Sequence, residues 1–325
     1  MTEPSFGNAR IAVFLPCLNE EMTIGPLVRE FRAALPSARI VVYDNLSTDR
    51  TAERAREAGA EVVAVQRRGK GNVVGTAFAD IEADVYVMAD GDGTYAAHEA
   101  PALVRRLVED RLDMVIGRRE GVTQDAGRAG HAFGNRIFNA IFRSIFGDGY
   151  EDILSGYRVF SRRFAKSFPA LSTGFEIETE LSVHALQLRL PVAEMPVSYG
   201  KRPEGSRSKL STFHDGTRIL SAFLLLMKEV KPLTFFSAFA LVALFASFIF
   251  GIPVLNDYFE TGLVDRMPTW MLTMALMILA FLLFTCGLIL DSVARGRLER
   301  KRLAALAIRR FEPVTAEGGA VRAAE

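Results

Sequence analysis

Two stretches of this chain, Leu233 to Leu255 and Met267 to Leu290, contain no Asp, Glu, Lys or Arg. Each exceeds the roughly 20 residues that a helix needs to cross the hydrocarbon of a bilayer. A core helix of a soluble domain can be equally apolar, but two such runs in tandem favour a membrane anchor, with spans over about 233–255 and 267–290. Lys228 and Lys231 precede the first run, and Arg295, Arg297, Arg300, Lys301 and Arg302 follow the second. The connecting loop holds Asp257, Glu260, Asp265 and a lone Arg266. By the positive-inside rule both ends of the anchor face the cytoplasm. Met1 to Arg10 has no basic region followed by an apolar stretch, so no secretory signal is expected.

The remaining residues must then fold in water. The 325-residue chain has a formal charge of +1, which gives no reason to expect nucleic acid as a partner. Cys17 and Cys286 cannot build a disulfide framework, which suits a reducing compartment.

Before the anchor, short apolar or β-branched runs alternate with amphipathic segments of helical length. Ile11 to Leu15, Arg39 to Tyr43, Glu61 to Val65, Val85 to Met88 and Met114 to Ile116 read as strands. Thr51 to Ala58 and Ala100 to Val108 are the clearest helices, with Thr48 or Asp49 available to cap the first. This βαβ alternation predicts an α/β domain with a mostly parallel sheet, which binds its ligand at the carboxyl ends of the strands. The expected organisation is a catalytic domain over 1–212, a juxtamembrane amphipathic helix over 213–231, a two-helix anchor over 232–292, and a basic tail over 293–325, disordered beyond Glu312.

The polar residues of interest fall at those strand ends. Asp90-Gly91-Asp92 directly follows the run ending at Met88. Two carboxylates this close resist ionising together without a counter-charge, so they suit a divalent metal, Mg2+ or Mn2+, holding a pyrophosphate; an Asp/Gly turn has the same composition. Pro16, Asn19 and Glu20 follow the first strand, and Asp44 and Asn45 the second, where short polar groups can meet a base or ribose or merely start a helix. Arg67-Arg68-Gly69-Lys70-Gly71-Asn72 follows the third, combining glycines, a lysine and a helix start into a diphosphate cradle. It matches neither the Walker A loop nor the GxGxxG fingerprint, which counts against a dinucleotide oxidoreductase.

Further along, Arg118, Arg119, Arg128 and Arg136 are candidates to hold an acceptor phosphate. Arg136 to Phe146 carries an Ile and Phe stripe for the core or the membrane interface. Glu176, Glu178 and Glu180 alternate at a helix start, where the helix dipole already accounts for them. His98, His131, His184 and His214 have no metal-ligand spacing and read as surface or packing residues. The loop from Tyr199 to Leu210 holds Lys201, Arg202, Arg207, Ser208 and Lys209, broken by Pro203 and Gly205, and suits either phosphates or anionic lipid.

The succession Leu15-Pro16-Cys17-Leu18-Asn19-Glu20, Asp44-Asn45-Leu46-Ser47-Thr48-Asp49, Asp90-Gly91-Asp92 and Asp152-Ile153-Leu154-Ser155-Gly156-Tyr157-Arg158 resembles the family-2 glycosyltransferases, nearest to the dolichol-phosphate mannose synthases and bacterial polyprenyl-phosphate glycosyltransferases. The likeness covers roughly residues 8–215, and the Arg202 to Lys209 segment is similar to that family's basic loop. The resemblance implies a GT-A fold and a nucleotide-sugar donor, with Asp44 near the base, Asp90 towards ribose or metal, and Asp92 on the metal. It also implies Asp152 as a catalytic acid near the acceptor, orienting the incoming group or acting as a modest base, Arg158, Arg202, Ser208 and Lys209 as phosphate contacts, and Glu176 and Glu178 as further candidates where relatives often keep an acid near the active site. Asn45 stands where many relatives carry Asp. Processive polysaccharide synthases of this fold carry Gln-x-x-Arg-Trp, whereas the sole tryptophan here is Trp270, inside the second apolar run.

An inverting transfer of sugar to a polyprenyl phosphate is the expected reaction, since an ionised phosphate attacks without a strong base. Another lipid or glycan acceptor is the alternative. Membrane lipids are the expected surroundings, and paired short spans allow a homo-oligomer.

Overall fold

The computed structural model describes Phe6 and residues 8–120, 150–171, 177–200, 224 and 227–309. Arg128, Arg136, the Ile and Phe stripe, Glu176, Arg202, Ser208, Lys209 and most of the expected juxtamembrane helix lie outside the described residues.

The chain divides into two compact units, Met1–Asp215 with Lys301–Glu325, and Gly216–Arg300. In the first, seven strands form one sheet: β1 (Ile11–Cys17), β2 (Arg39–Asp44), β3 (Glu61–Ala64), β4 (Val85–Met88), β5 (Met114–Glu120), β6 (Arg158–Ser161) and β7 (Val192–Ser198). Their order is β3-β2-β1-β4-β6-β5-β7. All pairings are parallel except those of β6, which runs against both β4 and β5. This reversal brings the residues that precede β6 to the edge where its parallel neighbours end. The expected strands are all present, while β6 and β7 are additions to the reading from sequence.

Helices cover both faces: α1 (Ile24–Ala34), α2 (Thr51–Glu57), α3 (Lys70–Asp80), α4 (Ala100–Glu109), α5 (Arg162–Ser167) and α6 (Ile177–Leu188). Alternation along β1 explains the two layers. Ile11, Val13, Leu15 and Cys17 join Ile24, Val28, Phe31, Leu103 and Val104 in one buried cluster. Phe14 points the other way and meets Phe78 of α3 edge-on at 5.6 Å, with Phe78 also packed on Tyr86, Phe160 and Phe168. His184 is buried between Phe164 and Phe168, a packing residue as expected, and burial depresses its pKa to about 3.

At the start of α2, Asp49 Oδ1 accepts the Thr51 N–H at 3.0 Å. Thr48 does not cap; its own N–H goes to Asn19 Oδ1 at 2.8 Å.

The second unit holds α7 (Pro232–Thr261) and the apolar part of α8 (Met267–Leu306), both long and apolar enough to cross a membrane. They approach closely through small residues: a Cβ on Gly251 would lie 2.8 Å from Thr273 Cγ2, and Ser247 Oγ donates to the Thr273 carbonyl at 3.0 Å. Phe245, Phe281 and Ile289 are exposed, as suits lipid-facing positions.

Candidate active site

At the carboxyl edge of the sheet the loops after β1, β2 and β4 are stitched together by their own polar groups. Asn19, at φ 54°, accepts from Thr48, while its backbone N–H goes to Ser47 Oγ at 2.9 Å. The Glu20 N–H goes to Thr51 Oγ1 at 2.8 Å. Thr23 Oγ1 donates to the Gly91 carbonyl at 2.7 Å. Gly91 itself must be glycine, because a Cβ there would collide with Cys17 Sγ. The β1–β4 ladder ends at Phe14 and Met88, two residues before Pro16, which has no N–H to contribute.

The Asn45 side chain is spent on bonds within the protein. Its Nδ2 donates to the Val65 and Arg67 carbonyls at 3.2 and 2.8 Å, and its Oδ1 accepts the Gly69 N–H at 2.6 Å. The side chain therefore clamps the turn into α3, whose Gly69 has φ 125°. Asp44, one residue earlier, has a buried Oδ1 without a hydrogen-bond partner among the described residues.

Lys70 opens α3 and lies between two carboxylates, with Nζ 2.5 Å from Asp90 Oδ1 and 2.5 Å from Glu178 Oε1. The ammonium is buried, which would lower its pKa, but Asp90 and Glu178 together raise it, so Lys70 stays charged. Asp92 is also buried, and its Oδ1 accepts from the Thr94 N–H at 3.1 Å and from Thr94 Oγ1 at 2.6 Å. Gly156 is seated against Asp90, since a Cβ there would collide with the Asp90 carboxylate.

The segment before β6 closes the site. Its backbone is held by Gly117 N–H to the Tyr157 carbonyl at 2.8 Å and by Gly156 N–H to Tyr95 Oη at 2.9 Å. Asp152 is gripped by Arg119, at 2.7 and 2.8 Å from the guanidinium. Burial opposes the charge on Asp152, yet its bonds to Arg119 prevail and hold the carboxyl below the usual range. Arg119 also lies over the Tyr199 ring, 5.5 Å from its centroid, and Tyr199 packs on Tyr95 at 5.2 Å. Glu194 of β7 accepts the Glu151 and Asp152 N–H groups at 3.0 and 3.2 Å.

Arg158 corrects an expectation. Its side chain is fully buried, donating to the Ser155 carbonyl at 2.9 Å, to Ser182 Oγ at 3.0 Å and to the Ile153 carbonyl. A guanidinium spent on carbonyls inside the core cannot reach an acceptor phosphate; it braces the loop that carries Asp152. Arg118 is half-exposed and paired with Glu151 and, at 3.7 Å, with Glu120. The structure thus brings Lys70, Asp90 and Glu178 together, and Arg119 with Asp152. Glu194 and Tyr95 carry no sequence signal, whereas Glu178 stands in the alternating run of carboxylates.

Among the described residues no three His, Cys, Asp or Glu side chains gather as a metal cage. A Mg2+ ion carrying a diphosphate needs less, taking one or two carboxylates, phosphate oxygens and water. Asp90, with 29% of its side chain exposed, and Asp92 beside it supply that donor set.

Comparison with known proteins agrees with this architecture. Residues 12–168 match Glycosyl transferase family 2. The chain is 36% identical over 230 residues to the glycosyltransferase AglJ of Haloferax volcanii, covering 70% of this chain and 75% of the relative. It is 28% identical over 220 residues to a dolichyl-phosphate hexose transferase of the same organism, covering 67% and 93%. Among solved structures it is similar to glucosyl-3-phosphoglycerate synthase from Mycobacterium tuberculosis in complex with Mn2+, UDP and phosphoglyceric acid. That likeness has a TM-score of 0.55 and 26% identity, over 68% of this chain and 78% of that one. The α/β unit is GT-A-like.

Proposed function

Because this chain belongs to glycosyl transferase family 2, we propose that it transfers a sugar from a nucleotide-diphosphate sugar to a polyprenyl phosphate at the cytoplasmic face of a membrane. The observation that carries this reading is the placing, at one sheet edge, of the Lys70–Asp90 pair with Asp92 after β4 and of the Arg119–Asp152 pair beside β6, in a chain that also holds two membrane-length apolar helices. The similarity to a dolichyl-phosphate hexose transferase supports the lipid acceptor.

In this reading Asp90 and Asp92 hold Mg2+ or Mn2+, which supplies positive charge to the departing diphosphate. Asp44 Oδ1, without a hydrogen-bond partner among the described residues, is an acceptor suited to an N–H of the base. Asn19 and Glu20 shape the nucleotide loop through their backbone bonds, and Lys70 keeps a buried positive charge beside Asp90. An acceptor phosphate oxygen bonds to the anomeric carbon as the bond from that carbon to the diphosphate breaks, inverting the centre and releasing the nucleoside diphosphate. Asp152, held ionised by Arg119, is a poor proton acceptor, and an ionised phosphate needs none. The pair acts by position and field. Arg128, Arg136, Arg202, Ser208 and Lys209 remain proposed contacts of the acceptor and donor phosphates.

The same reading makes 1–212 the catalytic part, 213–231 a surface helix, 232–292 the anchor and 293–325 a cytoplasmic tail. The complex of the solved neighbour with phosphoglyceric acid favours, as a second reading, a smaller phosphorylated acceptor. One experiment separates the two: labelled UDP-, GDP- and dTDP-sugars are offered with polyprenyl phosphate or phosphoglyceric acid, Mg2+ or Mn2+, and an Asp92→Ala control. An organic-extractable product absent from the control supports the polyprenyl acceptor. A water-soluble glycoside would move the assignment to the second reading.

A further inference from the structure

Lys70 is shared rather than paired. Its Nζ stands 2.5 Å from carboxylate oxygens of both Asp90 and Glu178, and the side chains of Lys70 and Glu178 are 9% and 6% exposed. The two acids come from distant parts of the chain, the end of β4 and the start of α6, so the ammonium is the link between the candidate metal loop and that helix. Glu178 has a second buried cation near it: Arg158 donates to Ser182 Oγ, whose hydroxyl donates to the Glu178 carbonyl at 3.0 Å.

Asp90, Glu178 and Asp152 interact with Lys70, Arg158 and Arg119, and Asp92 stands beside Asp90 as a fourth carboxyl, so the acids outnumber the cations by one. A carboxylate fully neutralised by its own lysine is a poor ligand for a divalent cation. A carboxylate whose lysine is also held by another acid keeps more of its negative potential. We infer that Glu178 is a positioning residue for the divalent cation: by holding Lys70 from the far side, it keeps the ammonium from being devoted to Asp90 alone and leaves that carboxylate's oxygens more available to a metal. This inference rests on the metal reading proposed above, and it gives Glu178 a task that neither the helix dipole nor packing would supply.

Replacing Glu178 by Gln keeps its shape and removes its charge, so Lys70 turns wholly to Asp90 and the site gains one net positive charge. Mn2+ binding to the full-length protein, followed by electron paramagnetic resonance with and without UDP, is the measurement. Glu178→Gln should weaken Mn2+ binding at least about fivefold, raising the metal concentration for half-maximal transfer more than it lowers kcat. Glu178→Asp should recover part of that loss. In the double variant Lys70→Met with Glu178→Gln, one positive and one negative charge go together, and Mn2+ affinity should return towards that of the parent. A merely structural Glu178 predicts the opposite, the double variant being worse than either single one. Circular dichroism and thermal melting of each variant identify any that fail to fold. Wild-type Mn2+ affinity in a folded Glu178→Gln protein overturns the inference and leaves the proposed function standing. A parent protein that binds no Mn2+ even with UDP overturns the metal reading, and this inference falls with it.

Discussion

Arg119 holds Asp152 in three ways: Nη2 to Oδ1 at 2.7 Å, Nε to Oδ2 at 2.8 Å, and its backbone N–H to Oδ2 at 3.1 Å. A bidentate pair fixes angle as well as distance. Because the same guanidinium lies over Tyr199, immediately before the basic segment, it ties the acid of the Asp152 loop to the base of that segment.

Removing this guanidinium should shrink the Asp152 contribution to stability. In the parent the folded-state pKa lies below the unfolded value of about 3.9, so the stabilisation is present above that value and is lost as pH falls through the folded pKa. In Arg119→Gln the guanidinium's bonds and charge are lost while burial stays, and only the backbone N–H and Arg158 still favour the carboxylate, so the folded pKa rises towards the unfolded one and less stabilisation is present at neutral pH. Urea denaturation of both proteins from about pH 3 to about pH 7 should show a gap that widens with pH. A constant gap would mean that Arg119 does not govern Asp152.

Asn45 predicts a difference from relatives with Asp at this place. A carboxylate here would face the Val65 and Arg67 carbonyls, lose both donated bonds, and keep the one from Gly69. Asn45→Asp should cost about 2 kcal/mol in chemical denaturation, from acceptors left facing acceptors. The Michaelis constant for the donor should rise with it, because the clamped turn carries Lys70. Unchanged stability would sink this account of the clamp.

Gly156→Ala tests how tightly the two halves of the site are fitted. The new methyl collides with the Asp90 carboxylate, which must swing away from Lys70 or push the loop back. The expected result is a native circular dichroism spectrum with nucleotide and metal binding weakened about tenfold, a loss of about 1.4 kcal/mol. Full affinity in the alanine variant would place Asp90 outside the binding site.

Periodicity finds the five strands from β1 to β5 because each is an apolar run bounded by turn residues. It misses β6, whose four residues open with Arg158 and close with Ser161, a pattern that reads as loop. Nothing local marks Arg158 as a buried residue; only the fold supplies the carbonyls that satisfy it, and so the expectation of a phosphate contact fails there. β7 is hidden for another reason, since Glu194 and Pro196 interrupt its run, and Pro is tolerated because this strand lies at the edge of the sheet. Asp90 and Asp92 are legible because chemistry and position coincide at a strand end. Glu178, which shares Lys70 with Asp90, is visible only as one of several acids at a helix start, for its pairing with Lys70 across 108 residues of sequence leaves no local trace.

The antiparallel placement of β6 has a consequence for how such a protein can diversify. Because β5 and β6 are neighbours running in opposite directions, the end of β5 and the start of β6 stand at one edge of the sheet, joined there by the Gly117–Tyr157 bond. An antiparallel pair, unlike a parallel one, sets no minimum crossover length, so the connection between β5 and β6 can lengthen or shorten without re-threading β1 to β4.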